Sequence, residues 1–157
     1  MKKNEKTNAM RLLDQKHAEY VSHFYTDTGA VSGIEVAAAL GEDPQQVFKT
    51  LVTTGKSGQH YVFVIPVSKE LDMKKAADAV GEKKIEMLKS KELLPLTGYV
   101  HGGCSPVGMK KLFPTVIDAG SEKQKTIMVS GGRIGCQIEL TLEELKKVVP
   151  FRIAELG

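Results

Sequence analysis

Three features of this sequence could do chemistry. The first is a lysine inside a run rich in apolar and β-branched residues, Val47-Phe48-Lys49-Thr50-Leu51-Val52. A strand lysine taken alone points to solvent by default. An ammonium held in place can instead neutralise charge on a carbonyl or phosphate oxygen. The other two features are glycine-rich segments. Residues 98–108, GYVHGGCSPVG, carry four glycines and a proline, and residues 131–135 read GGRIG. Glycine pairs such as Gly102-Gly103 leave backbone amides uncovered by side chains and permit dihedrals that other residues avoid. A lysine and two such loops suit stabilisation of negative charge on an oxygen.

Other constellations carry less. There is no GxxxxGK[ST], and GGRIG runs from one expected strand to the next with no helix to offer its N-terminus to a phosphate, so no nucleotide cofactor is expected. His17, His23, His60 and His101 lie far apart, and His101 with Cys104 gives two potential zinc ligands where at least three are wanted, so no metal is expected either. Cys104 invites a cysteine-hydrolase reading, but no partner base follows from spacing and a buried thiol is the commoner use. Ser105 lacks a nucleophile elbow, being followed by Pro106.

At 157 residues, 41% hydrophobic and 26% charged, the chain fits one folded domain spanning 1–157. The charged N-terminus has no apolar segment behind it and nowhere do eighteen apolar residues run together, so a cytoplasmic protein with no membrane contact is expected. Cys104 and Cys136 should remain thiols in a reducing compartment. The net charge of +3 comes from lysine doublets such as Lys74-Lys75 and Lys110-Lys111, which could track phosphates but which singly are solvated surface.

The elements that must position these residues follow from periodicity. Residues 7–17 read as a helix and 19–25 as a strand. Ser32 and Glu35 form a capping box for a helix through Leu40 with Gly41 behind it, and a helical turn starts near Pro44. Strands over 48–54 and 61–67 flank Gly55-Lys56-Ser57-Gly58, which is hairpin chemistry. A helix over 72–80 ends at Gly81, a short strand covers 84–87, and a brief helix over 90–94 stops at Pro95. Strands follow at 115–118, 126–130 and 137–140. Thr141 and Glu144 cap a helix to Val149, and 151–153 can make a last strand. Strands with irregularly interspersed helices, several joined by hairpins, predict the α+β class with a mixed or antiparallel sheet.

FKTLV at 48–52, the hairpin behind it, GYVHGGCSPVGMKKLFPTVID at 98–118 and IMVSGGRIGCQIEL at 127–140 together resemble the YbaK/EbsC group of free-standing aminoacyl-tRNA deacylases, relatives of the editing domain inserted in bacterial prolyl-tRNA synthetase. The resemblance spans nearly the whole chain. It implies a largely antiparallel curved sheet or barrel with surrounding helices. It makes Lys49 the essential functional group, and sets Tyr25, Gly102, Gly103, Ser105, Pro106, Ser130, Gly131 and Gly132 around the pocket. Cys104 stands where an aliphatic residue is usual and Gln137 where an aspartate can occur, both on the substrate side.

The implied partner is the acceptor end of an aminoacyl-tRNA, with prolyl-tRNA synthetase as a candidate companion. An aminoacyl ester is already activated, so holding it and stabilising its oxyanion does most of the work, with Lys49, Tyr25, Gly102 and Gly103 as the groups to do it. Cysteinyl-specific members of the group are thought to use the substrate's own thiol as nucleophile, which would make Cys-tRNA(Pro) the preferred substrate here. The rival from another class is a noncatalytic tRNA- or synthetase-binding module that only holds the acceptor end.

Overall fold

The computed structural model describes residues 6–25 and 33–157. Along these, the elements are α1 (Asn8–Gln15), β1 (Val21–Phe24), α2 (Gly33–Leu40), β2 (Phe48–Gly55), β3 (His60–Pro66), α3 (Met73–Val80), β4 (Ile85–Met87) and α4 (Ser90–Thr97). Then come β5 (Thr115–Asp118), a 3-10 turn (Ala119–Lys123), β6 (Ile127–Ser130), β7 (Cys136–Leu140), α5 (Leu142–Lys146) and β8 (Arg152–Ala154).

The strands make two sheets. Five strands lie in the order β4-β2-β3-β5-β8 and three in the order β1-β7-β6. β2 and β3 form the expected antiparallel hairpin, in register from Phe48 opposite Pro66 to Thr54 opposite His60. β3 is buried at every position from Tyr61 to Pro66. Its Tyr-Val-Phe-Val-Ile run suits a central strand covered on both faces. β5 lies parallel to β3, and β8 parallel to β5, while the remaining pairs are antiparallel. The fold is therefore α+β with a mixed, largely antiparallel arrangement. The sheets meet where Val47 pairs with Met128 in a parallel bridge and the Met128 amide donates to the Gln46 carbonyl at 3.0 Å.

One face of the five-stranded sheet, through Phe48, Val52, Val62, Val64 and Ile117, packs on α1 and the small sheet through Leu13 and Ile138. The other face buries Phe63 and Ile65 against Ala76 and Ala77 of α3. A small cluster of Ala37, Val47, Val67 and Met128 seats α2 at the seam between the sheets.

Several boundaries differ from the sequence expectation. α4 does not stop at Pro95 but continues to Thr97, where Gly98 caps it. The carbonyl that Pro95 leaves without a donor belongs to exposed Lys91, where water can replace the missing bond. α1 is shorter than expected because Thr7 is its N-cap, accepting from the Met10 amide at 3.2 Å, and Lys16 its C-cap. β1 covers four residues rather than seven, and α5 ends at Lys146, although Val149 still donates to the Leu145 carbonyl at 3.0 Å. The capping role expected of Ser32 lies outside the described residues. The 3-10 turn after β5 was not expected.

That turn depends on Asp118, whose side chain is fully buried. Its Oδ2 accepts from the Gly120 amide at 2.9 Å and from Lys69 at 3.3 Å, and its Oδ1 from the Leu156 amide at 3.0 Å. Burial works to raise its pKa, but the Leu156 and Gly120 amides and the Lys69 ammonium together hold it below the ordinary aspartate value. A depressed carboxylate pKa contributes stability above the unfolded-state value, and that contribution is lost as pH falls through the folded one. Asp118→Ala should therefore lower the stability by about 3 kcal/mol in urea titrations at pH 7, by stranding two amides. The gap to the parent should narrow below about pH 4.

Candidate functional site

A cavity of about 450 Å³ opens where the hairpin strand β2, the start of α2, the 98–114 loop and the end of the small sheet come together. Residues 47–52 supply one wall. Around it stand Tyr25, Ser90, His101, Gly102, Cys104, Ser130, Cys136 and Gln137, with apolar surface from Val36, Val67, Leu88, Leu93 and Val129. A mostly apolar cleft with a few convergent polar groups is the usual form of a small-molecule site.

Lys49 lies opposite Ile65 in the hairpin register and is half-buried. Among the described residues it makes no ion pair or hydrogen bond, so its three donors remain available to a ligand. Thr50 is next to it, and its buried Oγ1 also has no partner among the described residues. Tyr25 is 5% exposed. Its amide donates to the Gly135 carbonyl at 2.9 Å, and burial pushes the hydroxyl pKa up against a backbone hydrogen bond with Gly135. The phenol is therefore a neutral hydrogen-bonding group at physiological pH.

Of the positions expected from the sequence, the fold thus brings Lys49, Tyr25, Gly102, Cys104, Ser130 and Gln137 to one cavity. Gly103, Ser105, Pro106, Gly131 and Gly132 are not part of its wall, and each omission has a physical cause. The Gly103 amide donates to the Val100 carbonyl at 3.0 Å, so it is not free to meet an oxyanion. A Cβ at Gly103 would come within 2.9 Å of Arg133 Cα and C and of the Ile134 amide nitrogen, so this glycine lets the two glycine loops pack backbone to backbone. Ser105 is fully buried and its Oγ accepts from the Val107 amide at 3.2 Å, while Pro106 is buried beside it.

The second loop is likewise consumed internally. Its Gly131 amide donates to the Cys136 carbonyl at 3.0 Å, its Gly132 amide to Ser130 Oγ at 3.2 Å, and the Gly131 carbonyl accepts from Thr7 Oγ1 at 2.5 Å. In the first loop, the amides of the lining residues His101, Gly102 and Cys104 make no hydrogen bond to a described residue. Of the two amides anticipated as donors, that of Gly102 has no partner among the described residues and that of Gly103 is bonded to Val100.

Both thiols belong to the cavity wall and neither is poised for attack. Burial pushes the Cys104 pKa to about 12 and that of Cys136 to about 11. A thiolate at neutral pH is negligible under those conditions. Thr50, His101 and Cys136 were not picked out as site residues from sequence. The signal for Thr50 was present, since it alternates with the buried Phe48 and Val52 as a polar residue on their face of β2.

Two outcomes follow. In the folded protein at pH 8 both cysteines should react with iodoacetamide on the order of 100-fold more slowly than in the unfolded chain, as followed by mass spectrometry. Gly103→Ala should destabilise the fold by about 1–3 kcal/mol in a thermal melt, through the contact with the 133–134 backbone.

Comparison with known proteins places this geometry. The model of the aminoacyl-tRNA editing domain family matches residues 28–148. An Enterococcus faecalis protein, EbsC, whose name assigns it Cys-tRNA(Pro)/Cys-tRNA(Cys) deacylation, is 44% identical over 156 residues, covering 99% of this chain and 95% of its own. A proline–tRNA ligase of Thermosipho melanesiensis is 31% identical over 98 residues, covering 62% of this chain but 17% of the ligase. A crystal structure described as a trans-editing enzyme for prolyl-tRNA synthetase superposes with a TM-score of 0.80 at 26% identity, covering 98% of this chain and 99% of that one. The hypothetical protein APE2540 has the same fold, with a TM-score of 0.86 at 23% identity over 96% of this chain and 99% of its own. With its lysine-walled cavity and its two glycine loops, the chain belongs to the aminoacyl-tRNA editing domain family.

Proposed function

We propose that residues 1–157 act as one trans-editing aminoacyl-tRNA deacylase domain, removing a misattached small amino acid, with cysteine on tRNA(Pro) as the preferred substrate. The observation that carries this reading is the Lys49 ammonium, without a partner among the described residues, on the wall of a cavity beside the Gly102 and Cys104 amides. The name of EbsC and its 44% identity over nearly the full length support the choice of substrate.

An aminoacyl ester needs little activation. Cleaving it requires that the acyl group be held and that charge developing on the carbonyl oxygen be met by fixed donors. Lys49 and the two amides are donors of that kind, and a largely apolar wall strengthens their effect by lowering the local dielectric. In this reading Tyr25 and Ser130, which line the same cavity, hydrogen-bond the ribose or the amino acid.

The chain's own thiols are protonated, which leaves the nucleophile to the substrate or to water. With a cysteinyl ester, the substrate sulfur attacks its own carbonyl carbon. The ester C–O bond breaks, the ribose oxygen leaves with a proton, and a cyclic thioester is released. The ligase resemblance supports prolyl-tRNA synthetase as the companion that presents the tRNA. The chain's modest net charge of +3 agrees with an affinity that relies partly on such a companion.

Cysteinyl-, seryl- and alanyl-tRNA(Pro) incubated with the wild type and with Lys49→Ala decide the matter. Lys49→Ala should slow deacylation roughly 100- to 1,000-fold, the loss typical of one oxyanion donor. A wild type that deacylates none of them above background, yet binds tRNA more tightly than Lys49→Ala, would instead favour a noncatalytic binding module. Equal rates on all three substrates would rule out the substrate-thiol route, and Cys104→Ser should retain most of the activity.

A further inference from the structure

Helix α4 borders two cavities. Its Ser90 and Leu93 line the one already described, while Glu92, Pro95 and Leu96 line a second of about 280 Å³. Leu88, just before the helix, lines both. The remaining wall of the second cavity is His60, the first residue of β3. A ligand held beside Lys49 therefore has a further compartment across Leu88.

The His60 ring is held from two sides. Its Nδ1 lies 3.1 Å from Thr54 Oγ1 and 3.4 Å from the Thr53 carbonyl, and the ring meets Phe113 edge-to-face with 5.6 Å between centroids. With Pro95 and Leu96 it offers the kind of surface on which an unpaired base stacks. Glu92 is exposed, and its carboxylate makes no ion pair or hydrogen bond to a described residue, so it can accept from a base amino group. Cations flank this cavity. Lys110 Nζ donates to the Pro95 carbonyl at 3.5 Å, and the Lys111 ammonium stands 5.8 Å from the centre of Phe113, the ring that supports His60. Lys89 and Lys91, on either side of Ser90, are exposed, and their ammonium groups make no bond to a described residue. An acidic peptide would suit these lysines but be repelled by Glu92. A polynucleotide carries both complements, phosphate for the lysines and an exocyclic amino group for the carboxylate.

We propose that the second cavity is a subsite for the unpaired nucleotide preceding the aminoacylated one, and that it reads cytosine through Glu92. This rests on the deacylase reading above, which sets the aminoacylated terminal nucleotide at the first cavity. The acceptor end of a tRNA finishes in CCA, so the penultimate base is cytosine. Its ring stacks on His60, its exocyclic amino group donates to the Glu92 carboxylate, and Lys110 and Lys111 meet the flanking phosphates. Uracil presents a carbonyl oxygen where cytosine has that amino group, which would set two acceptors against each other without a proton. The subsite recognises a feature common to all tRNAs and leaves the choice among them to a companion.

The test compares cysteinyl-tRNA(Pro) ending in CCA with the same charged tRNA ending in CUA. Wild type, Glu92→Gln and His60→Ala are assayed for kcat and KM on both. Wild type should show a KM about tenfold lower for the CCA end, the worth of one charge-assisted hydrogen bond. Glu92→Gln, whose amide can turn to donate to uracil or accept from cytosine, should bring the two KM values within about twofold of each other. His60→Ala should raise KM about tenfold on both ends, through loss of the stacking surface.

A wild type indifferent to the penultimate base overturns the proposal, as does a Glu92→Gln that keeps the full preference or a folded His60→Ala with both KM values unchanged. If His60→Ala does not fold, the exposed Glu92→Gln carries the comparison by itself, since no hydrogen bond of the fold is lost with that carboxylate. A wild type inert on both charged tRNAs sinks the deacylase reading along with this inference, whereas an active wild type without a base preference sinks the inference alone.

Discussion

Holding the Lys49 ammonium half-buried, with no carboxylate among the described residues to neutralise it, costs desolvation free energy that an exposed lysine avoids. The surrounding structure has to accommodate that cost. β2 is fixed on one side by a seven-pair hairpin register with β3, and β3 is in turn buried on both faces. The lysine stem is thereby anchored on a strand paired along the central hairpin. A fixed cation near neutral hydrogen-bonding groups and protonated thiols keeps its field directed at whatever enters the cavity.

The glycine loops serve this arrangement in different ways. At Gly103 the first loop rests directly on the 133–134 backbone of the second, an approach that any side chain would prevent. The second loop spends its amides on Cys136 and Ser130 and ties its carbonyl to Thr7, the residue that also caps α1. It acts as the buttress. The first loop, held against it, keeps the Gly102 and Cys104 amides unspent at the cavity. Loops of similar composition thus divide into one that supports and one that lines the cavity.

The seam between the two sheets is where these parts are brought into one place. The bridge between Val47 and Met128 and the Ala37 cluster lock α2 over the end of the small sheet. That contact joins Ala37 and Val47 to Met128, a residue far along the chain.

Period-two alternation, turn chemistry and capping residues were enough to set out nearly every strand and helix, because each signal is local to the residues that form the element. The expectation that Lys49 centres the site came from the family resemblance carried by the FKTLV, GGCSP and SGGRIG strings, and the structure puts this lysine on the cavity wall. What the sequence could not separate was Gly102 from Gly103, or either from Gly131 and Gly132. The same composition yields a free amide or a spent one depending on which carbonyl lies 3 Å away, and tertiary packing decides that. Pro95 inside α4 and the Asp118 turn belong to the same class. Each depends on a partner or an exposure that neighbouring residues do not specify. The sequence determined the elements and the reactive groups, and long-range packing determined which polar atoms were left over to act.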